Sequence, residues 1–388
     1  MEKRINLSKP FLNTRENTLV KSVLKSGWLT NGPLTKKFEK NINKLIGCKF
    51  SIAVNACTNG IISVIQALDL KEGDEVLTTP MTFVSVIHAL ELFKLKVKLV
   101  DIDTDNFSLN LEIVKKNISK KTKCVLVTHY GGIPVDTKSI INFCEQNGIF
   151  VIEDAATAFG ASFNKKMVGS SNYSISVFSF YANKTITTGE GGVITLKNQL
   201  LASKIRSIIS CGISKDPWKR TFQKKIWFYE VKNFGFKFNF TDLQSAIGLA
   251  QLEKLNKILL FRKKIRKLYN RKFKELEKKE LVSLFKTNKK QKFSEYIYTL
   301  LINKNKLKIN RDQVIEYLRK KGIDTTVHYI PANHHAFYKK KFKNFDLKNS
   351  DYIYKNIISL PFHNHLKKKE VEKIIKFTNN IIEKNEKK

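Results

Sequence analysis

The hydrophobic pattern between residues 50 and 200 predicts a sheet covered by helices. Short apolar runs alternate there with helix-like stretches, and most runs end in a polar or small residue followed by a turn. This rhythm is typical of parallel strands joined by crossover helices. Because open α/β sheets bind ligands at the carboxyl ends of their strands, those ends are where we expect a site. The candidate strands are Glu75–Thr79, Val97–Asp103, Cys124–His129, Ile149–Glu153, Ile175–Phe180 and Gly192–Leu196.

The pattern changes after Phe240. From Asp242 to about Lys274, apolar residues recur near helical spacing, which predicts one long amphipathic helix with Thr241 as its N-cap. The remaining residues alternate between charged helical stretches and one apolar run. This change in pattern indicates a second, smaller domain.

We therefore expect two domains. A large domain with an N-terminal arm would occupy residues 1–250, and a smaller C-terminal α+β domain would occupy residues 251–388. Within the second, Glu295–Ile302 reads as a short strand and Leu366–Lys388 as a final amphipathic helix. A chain of 388 residues commonly divides in this way.

The composition and the apolar pattern argue against three classes of protein: disordered, secreted and membrane-spanning. With 42% hydrophobic residues, the chain has enough apolar surface to offset the entropy of ordering, so it is not intrinsically disordered. Its first residues lack the apolar core of a signal peptide, and it has no apolar run of about 18 residues, so we expect neither secretion nor a membrane span. An odd number of cysteines without a CxxC pair favours the reducing cytoplasm. The five are Cys48, Cys57, Cys124, Cys144 and Cys211.

The chain is strongly basic, with 71 Lys and Arg against 34 Asp and Glu and a net charge of +37. Such a charge can attract nucleic acid, an anionic membrane surface or an acidic metabolite. It can also reflect a general bias toward lysine, since the excess is spread along helices and loops and residues 251–388 hold 37 basic against 14 acidic residues. The chain has no helix-turn-helix signal, no zinc-ligand spacing and no aromatic RNA-binding motif. We therefore expect no nucleic-acid, membrane or metal partner.

A first candidate motif is VNACTNGIISVIQAL, residues 54–68, where small residues lead from a strand end into a helix with one apolar face. The N-terminus of a helix presents free backbone N–H groups and partial positive charge. Cys57, Thr58 and Asn59 could therefore hold a phosphate. Taken alone, this motif favours the simpler role of Thr58 as a cap of the helix.

Two further motifs carry ionisable groups. FVIEDAATAFGA, residues 150–161, delivers Glu153 and Asp154 to a strand end, where an acid either caps the next helix or binds a cation. SFYANKTITTGEGG, residues 179–192, follows another strand and contains Ser179, Lys184 and a glycine pair.

Together these segments resemble the DegT/DnrJ/EryC1/StrS family of nucleotide-sugar aminotransferases, which are pyridoxal-phosphate enzymes of fold type I. The resemblance spans nearly the whole chain, because further family-like segments occur in order along it. They are SGWLTNGPLTKKFEK (26–40), DEVLTTPMTFVS (74–85), VDID (100–103), HYGGIPVD (129–136), GFKFNFTDLQSAIGLAQLEKL (235–255), VHYIP (327–331) and SLPFH (359–363).

The resemblance implies a fold and a reaction. The fold would be α/β, the pyridoxal-phosphate-dependent transferase fold type I, with a large domain built on a mostly parallel seven-stranded sheet and a smaller C-terminal α+β domain. The cofactor would be pyridoxal 5'-phosphate, with pyridoxamine 5'-phosphate as intermediate. A homodimer with shared active sites would move an amino group from L-glutamate to a nucleotide-linked keto-sugar for lipopolysaccharide or polysaccharide biosynthesis. The segments ITTGEGG and GFKFNFTD resemble relatives that aminate C4, which favours a 4-keto-6-deoxy sugar.

The resemblance assigns two catalytic residues, and the chemistry requires both. Transamination needs an amine that bonds to the cofactor aldehyde and then moves a proton, and Lys184 occupies that position. Asp154 occupies the position of the carboxylate that keeps the ring nitrogen protonated. Some sugar dehydratases of this fold carry histidine in place of the lysine, so Lys184 indicates transamination.

The resemblance also assigns cofactor-binding residues. Phe83 would stack on the cofactor ring, with a plain core phenylalanine as the alternative. The phosphate would be held by Cys57, Thr58 and Ser179, and by either Lys237 or Asn239 of the neighbouring subunit, between which the sequence does not choose. Thr157 stands where relatives carry a longer side chain that reaches the phenolic oxygen, so it would act through its short hydroxyl or through water.

Four residues match segments that lie near the sugar nucleotide in relatives, and packing or turn formation is the alternative role for each. They are Trp28, Thr30, His328 and Tyr329. Two other functions remain open at this point. One is a catalytically silent regulator that binds the cofactor on the same fold, and the other is a basic nucleic-acid-binding protein.

Overall fold

The computed structural model describes residues 4–213, 229–285 and 288–387. Within them, 13 strands are distributed over three sheets. The strands are β1 (Phe50–Val54), β2 (Glu75–Thr78), β3 (Lys96–Leu99), β4 (Thr122–Thr128), β5 (Phe150–Asp154), β6 (Ser162–Phe163), β7 (Lys166–Met167), β8 (Ile175–Ser179), β9 (Gly192–Leu196), β10 (Val282–Leu284), β11 (Gln291–Lys292), β12 (Tyr298–Ile302) and β13 (Ile357–Leu360).

Thirteen α-helices are defined in the same residues, together with two short 3-10 turns at Tyr130–Gly132 and Ala332–His334. The helices are α1 (Thr14–Ser26), α2 (Pro33–Ile46), α3 (Cys57–Ala67), α4 (Ser85–Leu92), α5 (Leu111–Asn117), α6 (Thr137–Gln146), α7 (Gln199–Ile208), α8 (Asp242–Glu253), α9 (Leu255–Lys278), α10 (Arg311–Lys320), α11 (Ala336–Lys339), α12 (Lys348–Asn356) and α13 (Lys368–Glu383). None of the helices in the described segments is both long and apolar enough to cross a membrane.

The largest sheet has seven strands in the order β1-β9-β8-β5-β4-β2-β3. The pairs β3/β2, β2/β4, β4/β5 and β5/β8 are parallel, while β9 is antiparallel to both β8 and β1. Only β9 therefore runs against the others. The carboxyl ends of β4, β5 and β8 consequently lie side by side at one edge, as the alternating pattern predicts.

All six candidate strands of this sheet are present, with one marked difference at β3. The predicted strand Val97–Asp103 ends at Leu99. Its partner β2 ends at Thr78 and is followed within two residues by Pro80, which has no N–H to donate. Asp101 then turns away, and its carboxylate accepts bonds from the backbone N–H groups of Asn349 and Ser350 at 2.7 and 2.8 Å.

Helix α3 places its apolar face against the sheet as predicted, with Ile61, Val64 and Ile65 all buried. The sequence indicates one continuous helix from Asp242 to about Lys274, and that prediction is wrong: the helix stops at Glu253 and a new one starts at Leu255. Lys254 adopts a non-helical backbone (φ −111°, ψ 8°), and its ammonium is buried in an ion pair with Glu16 of α1.

This break separates two packing environments. Helix α8 packs against α1 and α2, and its N-cap is Thr241, as predicted, in a capping box with Gln244. Helix α9 packs against β10 and α13, over the antiparallel sheet β10-β12-β13. One uninterrupted helix could not follow both surfaces.

The C-terminal residues build a second core around the β10-β12-β13 sheet. Its strand β12 begins at Tyr298 and not at Glu295, because Glu295 has a positive φ of 54° that does not suit a strand. The final helix spans Lys368–Glu383, within the predicted 366–388. Both ends of the chain contribute to the other core, since Ile5 lies in the C-terminal core, where it bridges to Ile323, and Tyr338 packs into the core beneath the large sheet.

Candidate active site

A cavity of about 350 Å³ lies at the carboxyl edge of the large sheet. Its walls come from the ends of β4, β5 and β8, the start of α3, and the segments around Tyr296 and Tyr329. The structure thus brings most of the predicted site residues into one place. The predicted residues that line it are Cys57, Thr58, Phe83, Asp154, Thr157, Ser179, Lys184, His328 and Tyr329.

Asp154 is the last residue of β5 and points into this cavity. Its carboxylate is oriented by two donors: the Thr82 hydroxyl bonds Oδ2 at 2.9 Å, and the backbone N–H of Ala156 bonds Oδ1 at 3.1 Å. Neither donor is a cation, so the negative charge is held in place without being neutralised by the chain itself. Such a carboxylate can pair with a cationic group bound in the cavity.

The preceding residue, Glu153, belongs to the opposite face of the sheet. It accepts hydrogen bonds from His129 Nε2 at 2.9 Å, from Ser176 Oγ at 3.0 Å, and from Ser174 Oγ. Burial alone would raise the pKa of this carboxyl, but the bonds from His129 and the two serines outweigh burial and hold the pKa below its usual value. Of the two predicted acids, only Asp154 faces the cavity.

Lys184 lies in the loop between β8 and β9, where Phe180 N–H bonds Gly191 O at 2.8 Å and Thr188 N–H bonds Phe180 O at 2.9 Å. These bonds close the loop at its base. The Lys184 ammonium lies over the ring of Tyr296, with 4.6 Å from Nζ to the ring centroid. Tyr296 is buried beneath it and also lines the cavity.

The start of α3 can receive an anion. Its N-cap residue, Ala56, has no side chain that could bond the first-turn N–H groups. Cys57 and Thr58 line the cavity at this point, together with Ser179 from the end of β8. Gly192 packs beside them, and a Cβ there would lie 2.8 Å from the Cys57 nitrogen, so glycine is required. Free N–H groups at a helix N-terminus are a common phosphate site.

The Cys57 thiol is not a nucleophile in this setting. Burial raises its pKa well above the usual value, and the negative charge of Asp154 raises it further. Its Sγ contacts the carbonyl of Val177 at 3.7 Å. Since the thiolate is the reactive form, Cys57 serves the cavity through its backbone and its small size.

The hydroxyl of Thr157 is already committed within the chain. It donates to the carbonyl of His129 at 2.6 Å and accepts from the N–H of Gly132 at 3.0 Å. A hydroxyl has one proton to donate, so it has none left for a ligand oxygen. Thr157 therefore ties the loop after β5 to the loop after β4, next to Asp154.

His328 and Tyr329 form the opposite wall. Burial lowers the pKa of His328 to about 4, helped by the positive charge of Lys184, so its imidazole is neutral at pH 7. Its Nδ1 lies 2.8 Å from the Ser359 hydroxyl. Burial also raises the pKa of Tyr329 well above the usual value, and the neighbouring Tyr296 and Tyr130 raise it further. Tyr329 packs edge-on against the exposed ring of Phe83, 6.1 Å between centroids.

Four predicted site residues lie outside the lining of this cavity. Trp28 is half-buried and donates its indole N–H to Asn31 O at 3.1 Å, and Thr30 is exposed. Lys237 is exposed on a segment that bridges to Ser210, while Asn239 bridges to Val54. Their expected roles near the sugar nucleotide and in a partner's phosphate site stay predictions.

The structure adds residues that the sequence did not single out. Thr82 orients Asp154, Tyr296 contacts Lys184, and the hydroxyl of Tyr130 donates to the carbonyl of His328. Thr82 directly precedes the predicted Phe83 in TPMTFVS, so this motif could have indicated it as a site residue. No local pattern marks Tyr296, because its partner lies far earlier in the chain.

A comparison with family models matches residues 10–378 to the DegT/DnrJ/EryC1/StrS aminotransferase family. This chain belongs to that family. It is 38% identical over 379 residues to an uncharacterized protein, MJ1066, of Methanocaldococcus jannaschii, covering 97% of both chains. It is 33% identical over 378 residues to the spore coat polysaccharide biosynthesis protein SpsC of Bacillus subtilis, covering 97% of this chain and 96% of SpsC.

Among solved structures, the putative sugar aminotransferase Spr1654 of Streptococcus pneumoniae, in its pyridoxamine-phosphate form, superposes with a TM-score of 0.89. The two chains are 26% identical over 98% of this chain and 99% of Spr1654. Membership of the DegT/DnrJ/EryC1/StrS family makes this chain a transaminase dependent on pyridoxal phosphate, with the type I fold expected from its sequence. The family match favours an enzyme over the two alternatives that the sequence left open, a nucleic-acid-binding protein and a catalytically silent regulator.

Proposed function

We propose that this aminotransferase moves an amino group from L-glutamate to a nucleotide-linked keto-sugar, as a step in the biosynthesis of a surface glycan. The observation that carries the proposal is the convergence of Lys184, Asp154 and the uncapped start of α3 on one cavity. The names of two relatives support the sugar substrate, since SpsC is a polysaccharide biosynthesis protein and Spr1654 is described as a sugar aminotransferase.

The residues present fit pyridoxal phosphate. The cavity contains a carboxylate, a lysine and free helix N–H groups, and the Thr128 hydroxyl is buried in its wall with no hydrogen-bond partner. When bound, the cofactor supplies an electron sink that stabilises negative charge on the substrate carbon. The start of α3 and Ser179 would hold its phosphate, and Asp154 would hold its ring nitrogen. Phe83 would cover one face of the ring.

The chain's own groups then supply binding and proton transfer. Lys184 would hold the cofactor covalently, and its amine, when free, would take a proton from the α-carbon of the amino donor and, in the second half-reaction, deliver one to the sugar carbon that carried the keto group, acting as general base and then general acid. Asp154 stays fixed by Thr82 and Ala156, so it needs no rearrangement during the reaction. Thr157 keeps the two loops beside Asp154 together.

A 4-keto-6-deoxy sugar is the substrate we favour, on the strength of the segments ITTGEGG and GFKFNFTD. The wall opposite the sheet suits a sugar, because the neutral imidazole of His328 and the protonated hydroxyl of Tyr329 can exchange hydrogen bonds with hydroxyl and carbonyl groups. Trp28 and Thr30 would contact the nucleotide from outside this wall.

Shared active sites in a homodimer form part of the proposal. Among the described residues that line the cavity, Lys184 is the only Lys or Arg, so a nucleotide diphosphate needs cations from elsewhere. Lys237, exposed, or Asn239 of a second subunit would also complete the cofactor phosphate site. The seven-stranded sheet and the β10-β12-β13 sheet support a large domain at residues 1–250 and a small one at 251–388. The five free cysteines suit a cytoplasmic enzyme.

The central test is Lys184→Ala, with Lys96→Ala on the exposed edge strand as a matched control. We expect Lys184→Ala to lose covalent attachment of the cofactor, read as the yellow absorbance band and as peptide mass after borohydride reduction. We also expect amination of a panel of nucleotide keto-sugars to fall by at least about a thousandfold, while Lys96→Ala keeps both. Covalent attachment and amination retained by Lys184→Ala would refute the assignment.

A second test addresses the shared site. Lys184→Ala and a Lys237→Ala/Asn239→Ala double variant are each expected to be weakly active alone. Mixed and refolded together, they should form hybrid dimers with one intact site, recovering up to roughly a quarter of wild-type activity by random pairing. Sites contained within single subunits would give only the average of the two variants.

A further inference from the structure

Tyr296 stands out among the residues of the cavity because it contacts the lysine and belongs to the C-terminal part of the chain. Its side chain is 4% exposed, and the Lys184 ammonium lies over its face at 4.6 Å. No ion pair or hydrogen bond connects Lys184 Nζ to a carboxylate anywhere in residues 4–213, 229–285 and 288–387. The ring face of Tyr296 is therefore the contact that stabilises the charge of the Lys184 ammonium.

The backbone that carries Tyr296 is fixed by bonds to the rest of the site. Ser294 donates its hydroxyl to Thr157 O at 2.5 Å, and its own carbonyl accepts the Thr185 hydroxyl at 3.1 Å. These bonds attach the segment to the residue that follows Lys184 and to the loop beside Asp154. The position of the ring relative to the lysine is consequently set by both neighbours.

The adjacent residue strengthens this attachment. Both carboxylate oxygens of Glu295 pair with Arg266 of α9 at 2.8 Å, and Arg262 donates to the Glu295 carbonyl at 3.2 Å. The Tyr296 hydroxyl reaches Asn183 Oδ1 at 3.4 Å, a long bond beside the lysine. Because the segment is held from both sides, the ring is a rigid surface and not a mobile side chain that happens to lie nearby.

We propose that Tyr296 is a positioning residue that seats the Lys184 ammonium on its ring face at the stages when the lysine is not bonded to the cofactor and carries the transferred proton. A cation over an aromatic face is stabilised by the ring quadrupole, more so when water is excluded. The lysine must leave and rejoin the cofactor in each cycle of the proposed reaction. A fixed seat keeps its amine close to the reacting carbon between these events.

The role of the ring can be separated from that of the hydroxyl by two substitutions. Tyr296→Phe keeps the face and loses the hydroxyl, whereas Tyr296→Leu loses the face. Tyr329→Leu serves as a matched control, because it opens the same cavity wall without removing the ring under Lys184. Tyr296→Met is a second face-removing variant if Tyr296→Leu does not fold, as judged by thermal unfolding.

The measurement is the rate at which acetic anhydride modifies Lys184 in the full-length protein in its pyridoxamine-phosphate form, followed by peptide mass spectrometry. Only the neutral amine reacts, so a seat that favours the ammonium slows modification. We expect Lys184 to react about fivefold faster in Tyr296→Leu or Tyr296→Met. We expect wild-type rates in Tyr296→Phe and less than a twofold change in Tyr329→Leu.

An unchanged rate in the face-removing variants would overturn the proposal. Equal acceleration in Tyr329→Leu would also overturn it, because access to the cavity would then explain the effect. The inference rests on the proposed function only in so far as Lys184 bonds the cofactor, and it does not depend on which sugar is the substrate. Failure to aminate any tested sugar would count against the proposed function, whereas the role of Tyr296 is decided by the modification rates alone.

Discussion

Two adjacent carboxylates at the end of β5 face opposite sides of the sheet and have different partners. Asp154 faces the cavity and is bonded by one hydroxyl and one backbone N–H. Glu153 faces away and accepts bonds from one imidazole and two serine hydroxyls. Successive side chains of a strand point to opposite faces. Two neighbouring residues can therefore differ completely, one being available to a ligand and the other fully hydrogen-bonded within the protein.

The difference lies in how completely each charge is satisfied by the protein. Glu153 is 1% exposed, and its oxygens are surrounded by three side-chain donors. Asp154 is also buried, but its donors are fewer and its cavity is open to a ligand. A buried charge that lacks a cationic partner is costly, and binding a cation removes that cost. This contrast is a physical reason to assign the cofactor to Asp154.

The largest expected effect comes from Asp154→Asn. Asparagine keeps the size of the side chain and can still accept the Ala156 N–H, but it carries no charge to hold a protonated ring nitrogen. We expect kcat for amination to fall by roughly 100- to 1000-fold. The free energy of unfolding, measured by urea titration without cofactor, should stay within about 1 kcal/mol of wild type.

The control for this substitution is the neighbouring Glu153→Gln, which changes the same chemistry on the other face. Loss of activity in Glu153→Gln as great as in Asp154→Asn, at a temperature where both are folded, would contradict the assignment of one acid to catalysis and the other to the fold.

The sequence predicts much of this arrangement and misses the rest for identifiable reasons. Short apolar runs locate the ends of β5 and β8, and with them Asp154 and Ser179. Contacts between distant segments leave no local pattern, so the bond from Thr157 to the His129 carbonyl and the contact of Tyr296 with Lys184 were not foreseen. The local sequence does not predict the break between α8 and α9 for the same reason, since the ion-pair partner of Lys254 is Glu16 of α1.

The second expected effect is the stability cost of Glu153→Gln. The NH2 group of the glutamine amide would face one of the three side chains that now donate to the carboxylate, His129, Ser174 or Ser176. Two donors would then meet, and at least one buried donor would have no acceptor. We expect the free energy of unfolding to fall by about 3 kcal/mol. Ser176→Ala removes only one donor and should cost about 1 kcal/mol.

Urea titration of both variants at pH 7 measures these costs. Residual activity of folded Glu153→Gln should stay within roughly threefold of wild type, because a group satisfied within the fold does not touch the substrate. A stability loss no larger than that of Ser176→Ala would show that the carboxylate is not the centre of this hydrogen-bonded group.

The smallest effect concerns pH and the cavity wall. His328 has a pKa of about 4 in the folded chain because it is buried, against an ordinary value of 6.5. Below pH 6.5 the unfolded chain binds a proton that the folded chain refuses, so stability falls as the pH drops from 6.5 toward 4. At pH 5 this linkage removes about 2 kcal/mol relative to pH 7.5. The Glu153 carboxyl, whose pKa is lowered, loses its contribution only below its ordinary value of 4.5.

The titration of His328, from the cavity wall, should therefore lower the free energy of unfolding at milder acidity than the titration of Glu153, on the far face of the sheet. His328→Gln should lower the free energy of unfolding at pH 7.5 through its lost contact with Ser359, while the difference in that free energy between pH 7.5 and pH 5 should shrink by about 2 kcal/mol. Exposed His88→Gln is the matched control and should leave that difference unchanged. Equal pH dependence in wild type and His328→Gln would mean that the imidazole is protonated without cost in the folded chain, and the contrast in acid sensitivity between the two sides would fail.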